Sequence, residues 1–246
     1  MPSDVFRFKR FAVRQAQSAM KVGTDGVLLG AWVRTGEGEK RILDVGAGTG
    51  LIALMMAQRS PGSEIDAVEM EPGAAAEAQE NAAVSPWKER IKVHCRRFQD
   101  FAREQAAEGE KYDLIVSNPP YFIHSVDYLE TGPKSRVAAR HAQALPYGDL
   151  IEGIVMLLAS EGRFAGIFPY EEAGVFIAKA ATRGLYCKRM ADIYPKPGKK
   201  IKRVAAEFSF VRGEPLREEL TIENGGGNYD FTNQYRELTK DFYLKF

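Results

Sequence analysis

Arg41-Ile42-Leu43-Asp44-Val45-Gly46-Ala47-Gly48-Thr49-Gly50, followed by Leu51 to Gln58, is the stretch that decides the fold. A short apolar run enters a turn with glycine at alternate positions, and residues of helix-forming composition follow, which reads as strand, tight turn, helix. Glycines at 46, 48 and 50 let the backbone turn sharply and let a ligand approach without obstruction by side chains. Such a turn can also do no more than pack a helix on a strand, so its neighbours must decide between the two uses.

The same unit repeats downstream. Ile65 to Val68, ending in Glu69, reads as a strand and Ala74 to Ala83 as a helix, and Ile91 to His94 as a third strand. Tyr112 to Ser117 forms a fourth, stopped by the consecutive Pro119 and Pro120. Leu150 to Ala159 and Glu171 to Arg183 read as helices, and Arg163 to Phe168, Tyr186 to Ile193 and Val204 to Val211 as strands. Strands that alternate with helices imply an α/β protein with a parallel sheet. Ahead of this core, a helix is expected over about Gly26 to Val33, and the aromatic-rich Thr232 to Phe246 is expected to pack as a helix across the sheet or an opening.

A chain of 246 residues, 45% hydrophobic and 27% charged, fits one compact domain: a lead-in over 1–39 and a core over 40–246. Its 34 basic and 33 acidic residues give a net charge of only +1, so any nucleic-acid footprint must be local. Cys95 and Cys187 lie far apart without CxxC spacing, and the three histidines never join them at ligand spacing, so free buried thiols and no metal are expected. The start of the chain has no long apolar run, so neither signal peptide nor membrane span is expected, and the expected place is the cytoplasm.

Two acids beside the glycine turn point to a ligand. Asp44 ends the first strand, where a carboxylate suits a cationic amino group better than a pyrophosphate. Glu69 closes the second strand at about the spacing where an acid accepts hydrogen bonds from a ribose diol. Asn118-Pro119-Pro120-Tyr121 follows the fourth strand, at an edge that faces the ligand crevice in a doubly wound sheet. An amide oxygen and a carbonyl held rigid by prolines can each accept a hydrogen from a planar amino group, and the aromatic ring of Tyr121, extended by Phe122, can stack on a base.

The glycine turn with Asp44 and Glu69 resembles the nucleoside-binding half of Rossmann-like class I methyltransferases, over about residues 40 to 120. The resemblance implies S-adenosylmethionine as cofactor and a doubly wound, mostly parallel seven-stranded sheet with the last strand antiparallel. It also implies an acid near the end of the third strand. Here Arg97 falls where that acid is often found, which leaves Phe98 as an apolar wall and Asp100 as the alternative. Asn118 to Tyr121 resembles the signature of methyltransferases that act on amino nitrogens, whether of DNA, RNA or glutamine side chains.

Gln17 to Trp32, Asn118 to Phe122, Ala139-Arg140-His141 and Pro195-Lys196-Pro197-Gly198-Lys199-Lys200 together resemble the bacterial tRNA adenine-N6 methyltransferases that modify adenine 37 of valine tRNA. That resemblance covers nearly the whole chain. It implies a lead-in folded over the cofactor, with Lys21, Gly23 and Thr24 at the methionine end and Asp25 capping the next helix. It also implies a tRNA partner, and the expected state is a monomer. Two basic clusters agree with RNA: Arg7, Lys9, Arg10, Arg14 and Lys21 in one, and Lys188, Arg189, Lys196, Lys199, Lys200, Lys202 and Arg203 in the other. Charge runs are also ordinary solvated surface. Arg136, Arg140 and His141 sit close enough after Tyr121 to hold phosphates, and His141 can equally be a buried hydrogen-bonding residue. The competing readings are a glutamine methyltransferase acting on a translation factor, which usually carries a sizeable preceding domain, and a module that binds cofactor or RNA without catalysis.

Overall fold

The computed structural model describes residues 4–18, 20–36, 38–119, 145–227 and 229–245. Its centre is an eight-stranded sheet. In chain order the strands are β3 (Arg41–Val45), β4 (Glu64–Glu69), β5 (Ile91–Cys95), β6 (Tyr112–Ser117), β7 (Leu158–Pro169), β8 (Tyr186–Tyr194), β9 (Arg203–Ser209) and β10 (Leu216–Thr221). A separate antiparallel hairpin of β1 (Val5–Arg7) and β2 (Ala12–Arg14) precedes them. Across the sheet the order is β10-β8-β9-β7-β6-β3-β4-β5. Every pairing is parallel except those of β9, which runs antiparallel between β7 and β8.

The helices are α1 (Thr24–Trp32), α2 (Leu51–Arg59), α3 (Pro72–Ala83), α4 (Phe98–Ala107), α5 (Tyr147–Leu157), α6 (Tyr170–Ala181) and α7 (Asn233–Thr239). Alternation along the strands serves both faces: Ile42, Leu114 and Val116 pack with α1 and α2, while Leu43, Ile115 and Phe164 pack with α4, α5 and α6. A parallel sheet buried on both sides is why these strands read as continuous apolar runs. α3 starts at Pro72, whose ring suits the first helical position, and Glu71 caps it by accepting from the Ala74 amide at 2.6 Å.

The expected α/β sheet and its antiparallel insertion are present, with one strand more than seven. β10 adds to the edge beside β8; its Arg217, Glu218 and Glu219 hide the apolar signature of a strand. The β1–β2 hairpin and α4 were also not expected. Among the thiols, Cys187 is buried, and burial pushes it up to about 11, whereas Cys95 is exposed at the end of edge strand β5, contrary to the expectation for both. Among the described residues no helix is long and apolar enough to cross a membrane, and no group of His, Cys, Asp and Glu could hold a metal ion.

The lead-in helix α1 is buried almost all round, from Gly26 to Trp32. An ion cluster pins its end to the sheet. Arg189 on β8 donates to both carboxylate oxygens of Glu218 at 2.8 and 2.9 Å, reaches Glu207 at 3.4 Å and the Trp32 carbonyl at 3.2 Å, and lies 4.0 Å from the Trp32 ring centre. Glu207 is 4% exposed, so its charge depends on these partners. Replacing Arg189 with alanine leaves that charge short of a partner, and we expect a loss of about 3 kcal/mol in unfolding free energy by urea titration.

Candidate functional site

The parallel strands end at one edge of the sheet, and a cavity of about 520 Å³ opens there between the glycine turn, the ends of β4, β5 and β6, and the lead-in. Gly46, Gly48 and Gly50 have φ of +71°, +53° and +78°, a region in which a side chain is strained. The turn is closed by the amides of Gly46 and Ala47, which donate to the Val68 carbonyl at 2.9 and 3.1 Å. A Cβ at Gly46 or Gly48 would meet nothing within 4 Å, so both leave open space at the cavity wall. Gly50 differs: it does not line the cavity, and a Cβ there would stand 3.3 Å from Ala78 on α3, so its role is helix packing.

Glu69 lines the cavity with its carboxylate fixed on both oxygens. Oε2 accepts from the Gly48 amide and Oε1 from the Glu71 amide, each at 2.9 Å. This acid therefore stands beside the glycine turn in one orientation, with acceptor capacity left for hydroxyl groups. Asp44, expected at the ligand, is fully buried behind the turn and does not line the cavity. Its Oδ2 accepts from the Ala53 amide at 2.9 Å, while Oδ1 has no hydrogen-bond partner among the described residues. Burial, reinforced by the charge of Glu69 and opposed by the Ala53 amide, pushes the Asp44 carboxyl up to about 7.

The lead-in roofs the cavity with Ser18, Lys21, Gly23, Thr24 and Asp25. Two buried residues on α3 hold it down. Glu77 accepts from the amides of Ala16, Gln17 and Ser18 at 2.6, 3.1 and 3.0 Å. Burial raises the Glu77 carboxyl, but the Gln17, Ser18 and Ala16 amides outweigh it and hold it below the usual range. Asn81 accepts from the Arg14 amide at 2.8 Å and donates to the carbonyls of Arg14 and Thr49 at 3.0 and 2.9 Å. Sequence reasoning missed both. A glutamate and an asparagine four apart in an alanine-rich helix look like solvated surface, and only the fold puts them under the lead-in.

Among the remaining expected residues, Phe98 lines the cavity from the start of α4. Arg97 also lines it, with Arg96 and Gln99, whereas Asp100 is exposed and pairs with Arg103 at 3.0 Å. Asn118 and Pro119 reach the cavity from the end of β6, whose Ser117 hydroxyl donates to the Val45 carbonyl at 2.8 Å and ties the two strand ends together. Pro120, Tyr121, Phe122, Arg136, Arg140 and His141 lie outside the described residues. Lys196, Lys199, Lys200 and Lys202 do not line the cavity; they stand on the β8–β9 loop at the same edge of the sheet. Arg203, at the start of β9, joins that loop to the roof by donating to Asp25 at 2.8 Å.

Two outcomes follow from these contacts. Because the folded carboxyl of Asp44 titrates above its unfolded value, its contribution to stability is full below about pH 4 and is lost as pH rises through about 7. The melting temperature of the protein should carry a decline between those pH values that Asp44→Asn lacks; parallel curves for the two proteins would contradict this. Glu77→Ala should speed amide hydrogen exchange at Ala16, Gln17 and Ser18 by about ten- to a hundredfold, the equivalent of losing hydrogen bonds to a charged group.

Comparison with known proteins gives the same setting. Residues 18–145 match the family model of the methyltransferase small domain. The tRNA1(Val) (adenine(37)-N6)-methyltransferase of Bacteroides thetaiotaomicron is 44% identical over 245 residues, covering 99% of this chain and 99% of that protein. The enzyme of the same name from Trichodesmium erythraeum is 43% identical over 251 residues and 100% of both chains. Among solved structures, protein Atu636 of Agrobacterium tumefaciens, described as a predicted O-methyltransferase, superposes with a TM-score of 0.67 at 21% identity, covering 89% of this chain and 96% of that one. NSun6 from Pyrococcus horikoshii gives 0.57 at 16% identity over 78% of this chain and 53% of its own. These two structures speak for the fold alone, whereas the full-length identities show that the chain belongs to the family of the tRNA1(Val) (adenine(37)-N6)-methyltransferases.

Proposed function

We propose that the protein transfers a methyl group from S-adenosylmethionine to N6 of an adenine in tRNA, namely adenine 37 of valine tRNA, the target that its relatives' names print. The observation that carries this reading is the meeting of Asn118 and Pro119 with the glycine turn and Glu69 around one cavity. The residues present fit the cofactor: Gly46 and Gly48 leave backbone open to it, Glu69 offers a fixed acceptor for a ribose, and Asp44 holds an unpartnered buried oxygen behind the turn. When bound, the cofactor supplies a methyl group activated by a positively charged sulfur.

The chain's own part is positioning and electrostatic matching. The side-chain oxygen of Asn118 and the Pro119 carbonyl accept the two hydrogens of the exocyclic amino group, which orients the nitrogen lone pair along the line of transfer. In this reading Pro120 is part of the catalytic tetrapeptide, Tyr121 stacks on the flipped base and Phe122 extends that surface. Lys21, Gly23 and Thr24 close over the methionine end, and Phe98 forms an apolar wall. We read residues 1–39 as the roof and 40–246 as the catalytic core of one domain. Arg136, Arg140 and His141 hold phosphates near the base, and Lys196, Lys199, Lys200 and Lys202 hold phosphates further along the RNA. The working unit is a monomer in the cytoplasm, where its tRNA is.

The test is methyl transfer from labelled S-adenosylmethionine to unmodified tRNA, DNA or translation factors, with the modified residue identified by mass spectrometry. N6-methyladenosine from valine tRNA is expected. Asn118→Ala should lower kcat by about 10²- to 10³-fold while the dissociation constant for the cofactor stays within about twofold. Label confined to protein glutamine, or no transfer at all, would overturn the reading.

A further inference from the structure

The edge of the sheet beyond the cavity carries a backbone outlier that the reaction does not use. Tyr229 is the sole residue other than glycine with positive φ among the described residues, at +66°, and it is 78% exposed. For a bulky aromatic side chain this conformation is costly, and it persists only where the surroundings impose it. They do so here. Glu223 and Phe231 pair as an antiparallel bridge across the base of the loop that follows β10. Within it, Asp230 accepts from the Gly226 amide and the Asn224 side chain, each at 3.0 Å. The loop therefore uses hydrogen bonds and strain to hold a largely exposed aromatic ring, with most of its apolar surface left in water.

The ring of Tyr229 lies 6.1 Å from that of Phe231. Beyond the hydrogen bonds from Asn224 and Gly226, Arg236 and Lys196 stand near enough to the adjoining Asp230 to lower its carboxyl. Strand order places the β8–β9 loop, with Lys196, Lys199, Lys200 and Lys202, between the end of β10 and the end of β7. On the β10 side, Lys196 pairs with Glu223 at 3.1 Å. On the β7 side, Tyr170 is 49% exposed, and its amide donates to the Lys202 carbonyl at 3.2 Å. Lys199, Lys200 and Lys202 form no ion pair among the described residues. Two exposed tyrosines thus flank a loop in which Lys196 is paired while, among the described residues, Lys199, Lys200 and Lys202 are not, and the Arg203–Asp25 pair joins that loop to the cavity roof. Aromatic faces interleaved with cations are the chemistry of single-stranded nucleic acid binding: rings stack on bases and lysines take the phosphates.

Resting on the tRNA reading above, we propose that Tyr229 and Tyr170 are stacking platforms for unpaired nucleotides that flank the target adenine, with the lysine loop between them gripping the backbone. β10 lies four strands from β6, roughly 19 Å at about 4.8 Å per strand, so Tyr229 receives a nucleotide several positions from the base at Asn118. The platform thereby reads the presence of an unpaired loop around the target and not the target itself.

The experiment is steady-state methylation of unmodified valine tRNA by the full chain, with anisotropy titration of a short single-stranded RNA beside it. Tyr229→Ala should raise KM for tRNA by about 5- to 150-fold, with kcat and cofactor affinity within twofold, and should weaken the short RNA in parallel. Tyr229→Phe should match the parent. Tyr229→Gly should weaken RNA as alanine does yet raise the melting temperature, because glycine removes the backbone strain. Lys199→Ala with Lys200→Ala should flatten the salt dependence of RNA binding by a slope of about 1.4, whereas the tyrosine variants leave that slope unchanged. A tRNA KM unmoved in Tyr229→Ala, a Phe variant as weak as the Ala variant, or a change in oligomeric state in place of RNA affinity would overturn the proposal. A parent protein that methylates no tRNA would overturn the function instead, and the anisotropy of the short RNA would still decide the platform.

Discussion

The passage from β3 to α2 requires left-handed backbone at three positions, and only glycine takes all three without strain. Much of the cavity is placed by that requirement. The turn throws its amides outward, so the Gly48 amide meets Glu69 and the amides of Gly46 and Ala47 meet Val68, which locks the ends of β3 and β4 at one height. The same turn leaves Asp44 behind it in the dry interior, with one oxygen on the first turn of α2. A side chain at Gly50 would push α2 off α3, and α3 is the helix that holds the roof. Geometry at the turn and closure of the cavity are therefore one constraint.

Polar burial around the cavity is unequal. Glu69 accepts on both oxygens, Glu77 accepts three amides and Asn81 both donates and accepts, and each fixes a piece of backbone. Asp44 differs: a buried carboxyl with an unpartnered oxygen and a raised pKa is poor economy for a structural residue. Such a group costs stability in the folded protein, and Asp44 stands behind the cavity wall without lining it.

The sequence was most legible where one local rule decides. Gly46, Gly48 and Gly50, the apolar runs of β3 and β6, and the prolines that stop β6 each carry their meaning within a few residues, so the sheet and its ligand edge could be read directly. Legibility failed where the meaning is tertiary. β10 is written in charged residues because Glu218 serves Arg189 and Trp32, and β1 and β2 are three residues each, too short for a periodic signal. Glu77 is a surface-type residue made into a latch by a segment sixty positions away. Tyr229 has no sequence signal at all, since nothing local announces a tyrosine in a glycine's conformation.

The β1–β2 hairpin that leads into the roof leans on the far end of the chain. The Lys9 amide donates to the Phe242 carbonyl at 2.8 Å, Phe8 lies 6.0 Å from the Tyr243 ring, and Gln58 on α2 donates to the Asp241 carbonyl at 3.0 Å. The latch to α3 joins residues 61 and 67 positions apart, whereas the aromatic backing lies more than 200 positions along the chain. The lead-in over the cavity thus rests on contacts between residues as much as 231 positions apart, such as that of Lys9 with Lys240, and pairings of that separation form late in folding because closing the loop comes before the contact that rewards it.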